Sequence, residues 1–342
     1  TEAVPEGYIC EWGVNAFLDK SPRTLELCDE IGLNPLRGDE SAKKRYVFSG
    51  GELHKLPEKP PQFLKSRLLS WPGRLRVLGE VFTGPGDKED ETLAEFGRRH
   101  LGPEAFEKLI DPMASGVFAG NADRLSLKSC FPRIHEVESE YGSLIRGLIK
   151  LQRKARRSGA KNTPSAGPGG TLTSFDRGMS ELTDRLAEKM GSRIHTQSPV
   201  AAVSRNGGNF TLHMAQGPDR ESEILILAVP AYVQSQILRE YEPELSELLD
   251  GIEYPALSVV CFGFSEERIA PYLDGFGFLI PSREQRTTLG TIVDSNVFPG
   301  RAPEGSVLFR SMVGGARSPQ FAELPDEQLT SRVQSDLKDI TG

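Results

Sequence analysis

Apolar residues recur with a helical period near the start of the chain and with a strand period soon after. In SPRTLELCDEIG (21–32), Leu25, Cys28 and Ile31 share one helical face. Ser21 suits the N-cap, Pro22 the first helical position and Gly32 the C-terminal cap. RYVFSGGELHKL (45–56) reads as a hairpin turned by Gly50-Gly51. From about residue 61 to 150 the period is helical again. Leu93, Phe96 and Leu101 face one way in ETLAEFGRRHLG, and Phe106, Leu109, Ile110 and Met113 do so in PEAFEKLIDPMASG. EYGSLIRGLIKLQRK, a further helix, fades into ARRSGAKNTPSAGPGGT, a basic Gly/Ser/Pro-rich run expected to be a disordered loop.

Strands dominate after a helix over MSELTDRLAEKMG. PVAAVSRNGGNFTLHMA alternates on both sides of an Asn-Gly-Gly turn. SEILILAVPA (222–231) is continuously apolar, as expected of a strand covered on both faces. ALSVVCFGF and SVLFRSMVGG add two more. The succession predicts a mixed α/β (α+β) chain of interleaved units.

Composition narrows the function classes. The 342 residues carry a net charge of −7, which argues against a general affinity for nucleic acid. The four cysteines, Cys10, Cys28, Cys130 and Cys261, contain no CxxC, and the five histidines no HxxxH. Reduced structural thiols are expected, with neither a disulfide framework nor a metal site. No apolar run approaches the ~20 residues of a spanning helix. The chain starts without Met and ends inside an apparent helix at DLKDITG, so a trimmed chain is expected.

Four stretches have a chemical reading beside a structural one. The small residues of AVPA could let a ligand approach a strand end, or simply end the strand. Arg45 could clamp a carboxylate with two hydrogen bonds, or cover a strand with its stem. PPQFLKSRLLSWPGRLRVLGEVF (60–82) holds no acid before Glu80. It suits a helix lying on an anionic membrane, or one packed on the protein's own core. In GFGFLIPSRE, Phe276 and Phe278 are expected on opposite faces, so one of them could line a cavity, or both could be core. No P-loop, GxSxG, HExxH or GxGxxG after a strand is present, and GPGGT (167–171) fails the last test because no strand precedes it.

The ordered motifs EWGVNAFL, IGLNP, KRYVFSGGELHKLP, DETLAEFGRRHLGPEAFEKLIDPMASGVFAGNADRLSLKSCFPRIHEVE, FDRGMSELTDRLAEKM, ILAVPA, GFGFLIPSRE, GTIVDSNVFPGRAPEG and SMVGG span nearly the whole chain. Together they resemble the flavin-dependent protoporphyrinogen oxidase family, including its coproporphyrinogen III oxidase branch. The resemblance implies an amine-oxidase-like FAD/NAD(P)-binding flavoprotein fold. Residues 1–40 and 170–250 would belong to the FAD domain, 55–150 to a helical domain and 151–169 to a disordered basic linker. Residues 41–54 and 251–342 would bind substrate. The family's opening Gly-rich FAD turn and its closing FAD segment have no counterpart here, so a partial flavin site is expected.

Carried over by motif, the cofactor-binding residues would be Gly13, Val14, Asn15 and Ala16 beside the flavin ring, and Val200 at the adenine end. Val14 replaces the proline usual in that family. Arg45 would pair with a substrate propionate, and Gly116, Phe276, Leu279, Ile292 and Met312 would line the cavity. The implied reaction is FAD-dependent oxidation of protoporphyrinogen IX with dioxygen in haem biosynthesis. Flavin carries the chemistry, and no catalytic side chain or metal is required. Oxidation of coproporphyrinogen III is the alternative, favoured if Arg310, Arg283 or Lys43 supplied a second anchor. An amine-oxidase-like flavoprotein and a non-catalytic tetrapyrrole- or membrane-binding fragment are more distant readings. A cytoplasmic location, peripheral at the inner face of the cell membrane, and a homodimer complete the expectations.

Overall fold

The computed structural model describes residues 1–57, 60–157, 170–268 and 273–342. They fall into two units, residues 1–185 with 255–342, and residues 186–254.

The first unit is built around six strands, labelled here in chain order: β1 (Arg45–Ser49), β2 (Glu52–Lys55), β3 (Leu257–Ser265), β4 (Gly277–Leu279), β5 (Thr288–Val293) and β6 (Ser306–Gly314). Their order across the sheet is β3-β6-β5-β4-β1-β2, antiparallel throughout except for the parallel β4–β1 pair. The hairpin of β1 and β2 turns where expected, with Gly50 and Gly51 at φ 63° and 83°, values most residues avoid.

Strand alternation divides this sheet into two faces. Tyr46, Phe48, Val260, Phe278, Val293, Phe309 and Val313 point to the back. There they meet Leu329, Val333, Leu337 and Ile340, the apolar stripe of the helix Asp326–Thr341. Phe309, Val313 and Val333 have no exposed surface, so the back face is a closed core. On the front face Leu308, Arg310 and Met312 are buried as well. Phe276 and Phe278 would share a face in a regular strand. Gly277, at φ 140°, interrupts the alternation, so Phe278 enters the back core while Phe276 joins a separate cluster.

Most helices form where the apolar period puts them. The helix Pro22–Ile31 ends on Gly32 at φ 73°, although Ser21 makes no side-chain cap bond. Leu93–Leu101 opens with a reciprocal cap: Thr92 Oγ1 accepts from Glu95 N–H at 3.2 Å and Glu95 Oε2 accepts from Thr92 N–H at 3.1 Å. Phe106–Ile110 is wound as a π-turn before the helix α1 (Asp111–Phe118). Pro112 has no N–H to donate, which removes one bond of a regular helix at that point. The helix Leu144–Arg157 extends into the stretch expected as linker, whose remainder, 158–169, lies outside the described residues.

In the stretch read as a membrane-facing helix, Trp71, Leu75, Leu78 and Phe82 are 67%, 65%, 45% and 89% exposed, while Leu68 and Leu69 are buried. Arg74 stacks on Trp71, 4.7 Å from the ring centre. No described helix is long and apolar enough to cross a membrane.

In the second unit, Val200–Asn206 and Asn209–Met214 form the expected hairpin, and Arg220–Ser222 adds a third strand. The apolar run 223–229 departs from expectation. Among the described residues no strand pairs with it, and Ile224 and Ile226 are 75% and 83% exposed. Its composition suits a doubly covered strand, but this unit's sheet ends at Ser222 and provides no neighbour.

A buried charge cluster joins the helical region. His100 Nδ1 lies 2.7 Å from Glu80 Oε1, and Nε2 lies 3.1 Å from Glu138 Oε1. Glu80 also accepts from Ser143 Oγ and from Leu144 and Ile145 N–H, capping the helix that follows. Burial alone would raise the Glu80 carboxyl, but the His100 bond and these three bonds outweigh it and bring it to about 2. Glu138 is likewise drawn to about 2, against burial, by His100, Arg99 and Gly86 N–H. For His100, burial and Arg99 oppose charge, but the bonds to Glu138 and Glu80 prevail and raise its value.

The pH dependence follows from these directions. The carboxylates' contribution is lost as pH falls from 4.5 towards 2, and the imidazole's as pH rises above 6.5. His100→Gln should therefore lose about 3–5 kcal/mol in urea unfolding near pH 5.5, with the gap narrowing at alkaline pH. A gap that stays constant with pH contradicts a charged His100.

Candidate functional site

The front face of the sheet carries Arg45 on β1, Leu279 on β4, Gly290 and Ile292 on β5, Arg310 and Met312 on β6, and Val259 and Cys261 on β3. Ladder register aligns them: Leu279 faces Gly290, Gly290 faces Met312, Ile292 faces Arg310, and Arg310 faces Cys261. The floor is thus mostly apolar, with one guanidinium at its rim and one within it.

Helix α1 crosses one end of this face. Its first residue, Asp111, is buried, and Oδ2 accepts from Ser282 N–H at 2.9 Å and Ser282 Oγ at 2.7 Å, while Arg317 pairs with Oδ1. Beyond its other end, Ala119 C=O accepts from Ala316 N–H at 2.7 Å. Between these ties, a Cβ on Gly116 would stand 2.2 Å from Leu279 Cδ2, and a Cβ on Gly290 would stand 2.9 Å from the same atom. Leu279 therefore lies between two glycines, and the close approach at Gly116 is taken up by this side chain.

The EWGVNA loop lies at the Arg310 end. Arg310 Nη1 donates to Gly13 C=O at 3.2 Å, and Asn15 Nδ2 donates to Asp294 Oδ1 at 3.3 Å. Arg310 Nε and Asp294 Oδ2 stand 3.0 Å apart, with side chains 6% and 1% exposed. Burial pushes the Asp294 carboxyl up, opposed by Arg310 and the Asn15 bond. Glu11, at the start of the loop, is fixed from behind: it accepts from Met179 N–H at 2.7 Å and lies 3.9 Å from the buried Arg301 guanidinium. Arg301 also donates to Ser174 Oγ and Phe175 C=O, so the loop's root is anchored to two further segments.

Ala16, Phe276 and Ile292 pack around the buried Ala42, Val297 and Phe298. The Arg45 guanidinium lies 5.4 Å from the Phe276 ring centre. Arg45 is exposed and forms no ion pair among the described residues. Met312 is 9% exposed on the same floor. Val14 and Trp12 stand 68% and 49% exposed on the anchored loop. Val200 begins a strand of the other unit. Reading the motifs did not bring out Asp111 or the Arg310–Asp294 pair. A charge inside apolar SVLFRSMVG and another closing TIVD were the signals available.

A flavin ring fits this loop. The backbone at Gly13 is open, since a Cβ there would meet nothing within 4 Å, and the exposed side chains beside it are apolar. The Arg310–Asp294 pair lies buried beneath the loop, bonded to Gly13 C=O and to the Asn15 side chain.

Comparison with known proteins points the same way. A family model described as flavin containing amine oxidoreductase matches residues 1–342. The chain is 31% identical to the chloroplastic protoporphyrinogen oxidase of Oryza sativa subsp. japonica, over 98% of this chain and 66% of that protein. It is 27% identical to the coproporphyrinogen III oxidase of Bacillus subtilis (strain 168), over 98% and 72%. The chain thus spans just under two thirds of the rice relative's length. A solved structure from Exiguobacterium sp. 255-15 superposes with a TM-score of 0.79 at 24% identity, covering 98% of this chain and 72% of that one.

Gly116→Ala should force Leu279 to move and destabilise the protein, and Leu279→Ala should relieve that clash. A double-mutant cycle by thermal unfolding is expected to show a coupling of about 0.5–3 kcal/mol. Additive effects would mean that the two residues do not press on each other.

Proposed function

The chain belongs to the flavin containing amine oxidoreductase family, and on that premise we propose that it oxidises protoporphyrinogen IX to protoporphyrin IX. The observation that carries this reading is the apolar floor of Leu279, Ile292 and Met312 beside an anchored open loop, with Arg45 at the rim. A porphyrinogen has the matching form, a broad apolar macrocycle with carboxylates at its edge.

Bound FAD would supply the hydride acceptor, and dioxygen the final electron acceptor. The residues of this chain do the rest. Gly13 to Ala16 would orient the flavin ring, with Arg310 holding the Gly13 carbonyl and Asp294 the Asn15 side chain. Leu279, Ile292, Met312 and Phe276 would hold the macrocycle and keep water from it. Arg45 would take one propionate through paired N–H donors.

The charges support protoporphyrinogen IX over coproporphyrinogen III. Coproporphyrinogen III carries four carboxylates against two, so it asks for more cations. Each of the other candidate anchors is already paired: Arg310 with Asp294, Arg283 with Glu107 at 3.0 Å, and Lys43 with Glu40 at 2.7 Å. Of these candidates Arg45 alone forms no ion pair among the described residues, which supports the dicarboxylate.

The test supplies each porphyrinogen to the FAD-loaded protein in air and follows porphyrin fluorescence. Protoporphyrin should form well above the spontaneous rate and faster than coproporphyrin. Arg45→Ala should raise KM by about tenfold with a smaller fall in kcat, as expected for loss of a charged hydrogen bond of ~1.5 kcal/mol made in ground and transition states alike. Porphyrin formation at the spontaneous rate would overturn the reading, and an unchanged KM would remove Arg45 from the site.

A further inference from the structure

Two of the four cysteines meet on the front face. The segment Tyr8 to Cys10 crosses β3 closely: a Cβ on Gly263 would lie 2.4 Å from Tyr8 Cζ, so the tyrosine ring occupies that space. Two residues further along, in opposite chain directions, this crossing makes the Cys10 and Cys261 side chains neighbours. Ile9 N–H donates to Arg301 C=O at 3.0 Å and fixes the crossing segment. Cys261 faces Arg310 across the ladder, and Cys10 stands three residues before Gly13, whose carbonyl that arginine holds. Cys28 is buried in the helix Pro22–Ile31, and Cys130 packs in the helical region.

We propose that Cys10 and Cys261 form a reversible disulfide on exposure to a peroxide, and that this bond clamps the loop carrying Gly13 to Ala16. The clamp's effect on flavin rests on the function proposed above; the disulfide does not.

The environment separates the roles of the two thiols. The neighbouring Cys10 thiol, with burial, pushes Cys261 up. The Cys261 thiol pulls Cys10 down, against burial and the nearby Asp294, Glu2 and Glu11 carboxylates. Cys10 is assigned as the attacking sulfur on this asymmetry, and the Cys261→Ser variant below tests the assignment. As its thiolate attacks one peroxide oxygen, the O–O bond breaks, giving a sulfenic acid on Cys10 and hydroxide. Cys261 sulfur then attacks the sulfenic sulfur and its S–O bond breaks. The departing oxygen takes the remaining protons. In sum, two thiols are oxidised to one disulfide and one hydrogen peroxide is reduced to two waters.

The test titrates the folded protein with hydrogen peroxide, counts thiols and maps non-reduced peptides. The free-thiol count should fall from four to two, the protein should lose the mass of two hydrogens, and one linkage should join the Cys10 and Cys261 peptides. Dithiothreitol should restore both thiols. In Cys261→Ser, which keeps a hydrogen-bonding group of similar size, the reaction should stop at a Cys10 sulfenic acid trapped by dimedone. Four persistent thiols, or a linkage through Cys28 or Cys130, overturns the pair. In FAD-loaded protein the linkage should change flavin fluorescence, and a complete linkage without such a change overturns the clamp. A preparation that takes up no flavin counts against the proposed function, while the thiol count still decides the disulfide.

Discussion

The Arg310–Asp294 pair is the interaction on which the candidate site depends. Placing a guanidinium and a carboxylate in a dry interior is expensive unless their remaining hydrogen-bonding groups find partners. Here they find the EWGVNA loop, through Gly13 C=O and the Asn15 amide. Burial already disfavours the charge on Asp294, so each bond to the loop also lowers the cost of holding the pair. Trp12 and Val14 point outward, so the loop's apolar anchoring is confined to Ala16 at its far end. Its position therefore comes from electrostatics beneath it and from Glu11 and Arg301 behind it. The exposed apolar surface is held in a fixed place and remains available to a planar ring.

The division of labour between the sheet's faces explains why so small a floor can be specific. The back is closed by the helix Asp326–Thr341 and fixes the strands. The front can then carry side chains chosen for a ligand. Alternation puts Leu279, Ile292 and Met312 there, and the register aligns them across three strands. Helix α1 is tied down by Asp111 at one end and near Ala119 at the other, with Gly116 against Leu279 between. The apolar side chains of this face suit a reaction whose hydride acceptor would be a cofactor.

Much of this was legible from residue order. The β1–β2 turn needed two positive φ values, and Gly50-Gly51 announces them. The helix Pro22–Ile31 shows its limits in Pro22 and Gly32. Other features depend on partners remote in sequence. The run 223–229 has the composition of a buried strand, yet composition does not supply a neighbouring strand. Phe276 and Phe278 diverge because Gly277 takes a φ no alternation rule anticipates. Motif matching named both Gly116 and Leu279, but not that they press on each other across 163 positions of chain. The Arg310–Asp294 pair joins strand, turn and loop across nearly 300 residues. Only the oddity of a charge in an apolar strand marked it.

The most direct measurement replaces the buried pair as a unit and reads flavin binding rather than turnover. Arg310→Met with Asp294→Leu removes both charges and leaves neither uncompensated, so the folded state should persist in thermal unfolding. The loop would then lose its bonds at Gly13 and Asn15. FAD affinity, followed by quenching of flavin fluorescence, should fall by roughly tenfold or more, as expected for losing hydrogen bonds to charged partners. A folded double variant that binds FAD with wild-type affinity and an unchanged flavin spectrum would contradict the account.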